Sequence, residues 1–146
     1  MKLVTFQINT PLGPMQRIGA LLNETKIVDL TSGYAAYLTE AGKETRLYEA
    51  VDLRLPPDMI GYLKGGELSK QAAKQTLDYA SQLLKKKKEL TGPQGEKVIY
   101  TKKEVKLLAP VPKPNTMRSS ATWENHGSRV GMPKTELWYK YPTPHA

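Results

Sequence analysis

The chain has 146 residues, 39% of them apolar, with 22 Lys and Arg against 14 Asp and Glu and no cysteine. That length suits one domain, or slightly more, with a real core, and is too short for a large two-domain enzyme. Without cysteine there are no disulfides, thiolate zinc sites, iron–sulfur clusters or cysteine nucleophiles, and two histidines leave little room for a multi-histidine site, so any metal here would be hard and oxygen-ligated.

The first thirty residues read as three short strands. Leu3, Thr5 and Gln7 alternate with Val4, Phe6 and Ile8, and Thr10-Pro11-Leu12-Gly13-Pro14 makes a turn before a second run, Arg17–Leu22. Asn23-Glu24-Thr25 turns the chain again into Lys26–Leu30, which predicts a small antiparallel meander with one apolar face. Thr31 or Ser32 is the expected N-cap of a short helix, Tyr34–Leu38, closed by Gly42. A second helix carries Leu47, Ala50, Val51 and Leu53 and stops at Pro56-Pro57; Pro57 at a first helical position opens another short turn, Met59–Leu63, which Gly65-Gly66 ends.

The longest predicted helix follows. Leu68, Ala72, Ala73, Thr76, Leu77, Ala80, Leu83 and Leu84 recur at three- and four-residue spacing, a stripe that reads as core. Thr91–Gly95 breaks it, and Val98–Thr101 and Val105–Leu108 are two further strand candidates. Ala109–Pro114 then places proline at every second position, which forbids a helix or a central strand and favours an extended connector. The expected fold class is therefore α+β: a small antiparallel sheet with three or four helices over 1–108, then a hinge at 109–115. Residues 116–146 are too few to bury a core of their own and read as the incomplete start of a further domain.

The net charge of +8 is unevenly placed. Residues 1–60 sum to −1 and residues 61–146 to +9, with Lys85-Lys86-Lys87-Lys88 as the densest run. Such a run can bind nucleic acid or another anion, but lysines at a helix C-terminus also answer its unpaired carbonyls and negative dipole end, and that is the expected role. No run reaches the roughly 18 to 20 apolar residues of a membrane span, and Met1–Gln7 lacks a signal peptide's apolar stretch, so a cytoplasmic, non-membrane chain is expected. No phosphate loop, Gly-x-Ser-x-Gly elbow or His-Glu-x-x-His supports nucleotide, serine-hydrolase or zinc-peptidase chemistry. Asp29, at a strand end, and Asp58, in a helix first turn, read as capping groups rather than a catalytic carboxylate pair.

Five stretches in order carry a resemblance: Met1–Phe6, Arg17–Leu21, Ile27–Leu30, Pro57-Asp58-Met59, and Lys106-Leu107-Leu108-Ala109-Pro110-Val111-Pro112-Lys113-Pro114. Together they resemble the N-terminal region of the fumarylacetoacetate hydrolase family. Thr116-Met117-Arg118 and Trp123-Glu124-Asn125-His126 look like the Met-Arg-Asp and Phe-Glu-x-His stretches that open the catalytic domain in one branch of that family.

The resemblance implies a small N-terminal α/β domain ahead of a β-roll catalytic domain, usually in a homodimer. It implies hydrolysis of C–C bonds in short dicarbonyl acids such as acylpyruvates, with Mg²⁺ or Ca²⁺ held by carboxylates. His126 falls on the family's general base, with Glu124 beside it, and Lys140 and Tyr141 fall where side chains contact the substrate carboxylate. Ser119 stands where the family has a metal-ligating aspartate, and no Glu-x-Glu occurs anywhere in the chain. These residues alone are therefore expected to hold no metal and to be inactive, with a complementary catalytic chain or a second copy as partner. The alternatives are a non-catalytic dimerisation or regulatory module of the same ancestry, or a basic protein that binds anions or nucleic acid.

Overall fold

The alternating N-terminus builds a hairpin in which β1 (Leu3–Thr10) pairs antiparallel with β2 (Gly13–Leu21). The turn is the two residues Pro11 and Leu12, and Gly13 sits at φ 111°, where a side chain would be strained. The Thr10 hydroxyl braces the turn by donating to the Gly13 carbonyl at 2.7 Å. The computed structural model describes residues 1–116 apart from Lys43 and Lys87, together with the backbone of Ser119–Ser120 and Pro144–His145. The chain divides into two compact units, Met1–Pro112 and Lys113–Ala146, so the division falls inside the proline-alternating stretch.

In the first unit, β3 (Lys26–Asp29) extends the meander against β2. The edges come from far along the chain: β4 (Ile99–Thr101) pairs with β3 and β5 (Lys106–Leu107) with β1, giving the antiparallel order β4-β3-β2-β1-β5. The sheet curls. β1 and β4 are three strand spacings apart, roughly 14 Å in a flat sheet, yet the Phe6 and Tyr100 rings lie 5.6 Å apart. Gly19 makes the curl possible, since a Cβ there would stand 2.6 Å from Ile27 Cγ2, 2.8 Å from the Val28 carbonyl oxygen and 2.9 Å from the Phe6 ring.

The other sheet face carries the helices α1 (Leu30–Ala41), α2 (Leu47–Arg54), α3 (Met59–Lys64) and α4 (Gly66–Lys85). Ile18 and Ala20 of β2 are buried with Leu30, Tyr34 and Leu38 of α1, Val51, Leu55, Met59, Tyr62, and Ala72 and Ala73 of α4. A second cluster joins Val28, Ala36, Ala80, Leu90 and Val98. No helix among the described residues is long and apolar enough to cross a membrane.

Three local expectations are corrected. The N-cap of α1 is Asp29, not Thr31 or Ser32: its carboxylate accepts from the Ser32 N–H, and the helix starts four residues before Tyr34. Pro57 lies outside α3, whose N-cap is Asp58. Leu68 is 63% exposed, whereas Ala72, Ala73, Thr76 and Ala80 of the same stripe are buried, because the sheet and α1 cover only the middle of α4. The predicted end of α1 stands as read, with Gly42 left-handed at φ 60° and its N–H bonded back to the Leu38 and Thr39 carbonyls. The proline stretch is tied to β1, since Thr5 Oγ1 donates to the Pro110 carbonyl at 2.6 Å and the Leu108 N–H to the Thr5 carbonyl at 2.9 Å.

In the second unit, β6 (Ser119–Ser120) pairs antiparallel with β7 (Pro144–His145), which sets Ser119 opposite His145.

Candidate functional site

The side chains picked out by resemblance, Glu124, His126, Lys140 and Tyr141, lie outside the described residues. Ser119 enters only through its backbone in β6. Within the described residues, three polar assemblies stand out.

The first is buried under the α1 N-terminus. Arg17 on β2 reaches across the curled face to Asp29, Nε to Oδ2 at 2.7 Å, and its Nη2 donates to the Ser32 hydroxyl. Asp29 is 1% exposed, and its other oxygen takes the Ser32 N–H at 3.0 Å. Burial pushes the Asp29 carboxyl above its ordinary value, while the Arg17 guanidinium and the helix N–H groups pull the other way. The Arg17 Nε and Nη2 donors and both Asp29 oxygens are spent within this assembly, so it joins sheet to helix.

The second is the end of α4. Lys85 occupies the last turn, Lys86 is the C-cap, and the Lys88 N–H donates to the Leu83 carbonyl at 2.9 Å. These lysines are exposed, the arrangement expected of cations at a helix C-terminus.

The third is a groove of about 410 Å³ between α1, α2 and α4. Arg54 Nη1 donates to the Tyr34 hydroxyl at 3.0 Å and faces Glu44 Oε2 at 3.7 Å. The Tyr34 and Tyr37 rings stack at 5.9 Å with 23° between their planes, and Gln71 and Gln75 line the α4 side. Nearby, Tyr79 donates to Glu40; burial and that carboxylate push its phenol up to about 12. Sequence reasoning missed this groove. Arg54 reads locally as a helix-end cation and Gln71 and Gln75 as a solvated face, and the one available signal is that these glutamines stand one turn apart on the face that bears Leu68.

Among the described residues no group of three His, Asp or Glu could hold a metal ion. Compared with protein-family models, curated proteins and solved structures, the chain finds no match.

Proposed function

We propose that this chain carries the N-terminal α+β unit and the opening of the β-roll catalytic domain of a fumarylacetoacetate hydrolase-type protein, and that it is not catalytic by itself. The observation that carries this reading is the order of the five resembling stretches. It is supported by where they fall: four lie on β1, β2, β3 and β5, neighbours in one sheet, and the fifth holds the N-cap of α3.

In this reading His126 is the general base. It takes a proton from water as the oxygen adds to the acyl carbonyl of an acylpyruvate; the bond to the methylene carbon then breaks, that carbon takes up a proton, and two carboxylic acids leave. The residues present do not fit the divalent cation the resemblance implies. Ser119 offers a neutral hydroxyl in place of a carboxylate, and the chain has no Glu-x-Glu. No step is therefore assigned to a metal, and the missing carboxylates would come from another polypeptide segment.

The test is complementation. The chain, mixed with a polypeptide bearing the downstream Glu-x-Glu region of such a hydrolase, should cause Mg²⁺-dependent loss of acylpyruvate absorbance, and His126→Ala should abolish it. Failure with every complementary chain tried would remove the catalytic reading. Ser119 favours a second one, a dimerisation or regulatory module of the same ancestry. That protein would sediment as a folded dimer and give no heat with Mg²⁺ or Ca²⁺.

A further inference from the structure

We propose that the groove between α1, α2 and α4 binds a small carboxylic acid, with the Arg54 guanidinium holding the carboxylate and the Tyr37 ring, the accessible member of the Tyr34–Tyr37 stack, flanking its body. The groove lies wholly within the first unit, so the inference does not depend on the hydrolase reading.

The geometry of Arg54 leads to it. Both contacts of the guanidinium, to Tyr34 Oη and to Glu44, use Nη1. Its Nε–Nη2 edge, two parallel N–H donors at the spacing of a carboxylate, has no partner among the described residues. The Arg54 side chain is 38% exposed and that of Glu44 29%, so the cation is half desolvated, and an incoming anion interacts with it more strongly than it would in open water. Glu44 at 3.7 Å is beyond hydrogen-bonding distance, so it offsets the charge without occupying the fork.

The surroundings select the rest of the ligand. Gln71 and Gln75 bring amide donors that make no hydrogen bond among the described residues, and Tyr37, held by its stacking on the buried Tyr34, gives a flat surface suited to a planar body. Leu68 on the rim would be covered by an occupant, which would explain an apolar side chain left in water at that spot. The volume sits in the lower part of the range for small-molecule sites and suits a single-ring or short-chain acid. Glu44 also discriminates by charge, since a doubly charged phosphate would be repelled by it more than a monocarboxylate.

The experiment is an NMR titration of the full ¹⁵N-labelled chain with sodium benzoate, with benzamide and inorganic phosphate run alongside. Benzoate should shift amide signals of residues 34–41 and 68–75 saturably, with a dissociation constant in about the millimolar range. Benzamide, which has the shape without the charge, and phosphate should each bind at least about tenfold more weakly. Arg54→Gln should weaken benzoate by a similar factor. Gln75→Glu, at an exposed helix position that leaves the core intact, should do the same by placing a second carboxylate over the groove. No saturable shift, shifts centred on Lys85–Lys88, benzamide or phosphate as tight as benzoate, or unchanged affinity in the Gln75→Glu protein would each overturn the proposal.

Discussion

Asp29 and Asp58 hold the same position in two helices and live in opposite surroundings. Each is an N-cap whose carboxylate accepts a backbone N–H from the first turn, Ser32 at 3.0 Å for α1 and Gly61 at 2.8 Å for α3. Asp58 stands in water, where the solvent replaces whatever the cap loses. Asp29 is sealed under the curled sheet and ion-paired with Arg17, so nothing replaces it. The comparison teaches that a capping residue is worth what its partners would be left without.

Removing the buried cap is the strongest way to break that comparison. Asp29→Ala strands the mostly buried Arg17 cation and leaves the Ser32 N–H without its acceptor, and should cost about 3–5 kcal/mol in urea unfolding, a large share of a domain's total. A loss no greater than that of Asp58→Ala would show the buried pair to be idle. Asp29→Asn keeps an oxygen for the Ser32 N–H but leaves Arg17 without its counter-charge, and a loss of about 2 kcal/mol separates the cap from the ion pair. Asp58→Ala should cost about 1 kcal/mol, the ordinary value for an exposed cap.

The smallest effect belongs to a carboxylate that closes a turn rather than a helix. Glu104, an exposed residue, accepts from the Thr101 N–H and hydroxyl and pairs with Lys97, and these hydrogen bonds, that from Lys97 first, hold its carboxyl down to about 2 against an ordinary 4.5. The folded state therefore carries fewer protons than the unfolded chain between those values, so this contribution is complete above about pH 4.5 and fades as the pH falls toward 2. Glu104→Gln should flatten the acid limb of the stability curve there. Asp29 has the opposite sign: burial raises its carboxyl above 3.8, so its ionisation costs stability as the pH rises past that value. A steeper acid limb in the Glu104→Gln protein would contradict the sign derived for Glu104.

The periodic part of the fold is plain from the residues. Alternation at Leu3–Ile8, the break at Pro56-Pro57 and the left-handed Gly42 are local signals, and local physics decides them. The cap of α1 is ambiguous in the residues because Asp29, Thr31 and Ser32 all cap well by type, and the choice of Asp29 follows from where the strand β3 ends and the helix begins, with Arg17 holding its other oxygen. Leu68 misled for a related reason: helical spacing gives the stripe of α4, but how far α1 and the sheet extend over that stripe is a tertiary matter. The Arg54 groove was invisible because its wall comes from three helices, none of which marks it alone. Of the catalytic candidates, the sequence offers motif positions, and Ser119 in place of an aspartate is the one with a direct chemical meaning.

One consequence of the sheet order concerns synthesis. β1 is made first, yet its second neighbour, β5, and the Pro110 carbonyl that takes the Thr5 hydroxyl are made about a hundred residues later. On the ribosome the hairpin, β3 and α1 can assemble early, while the outer edge of β1 waits unpaired until Leu107 has emerged. That interval is when the nascent chain is most open to edge-to-edge aggregation, and a chaperone holding β1 would act there.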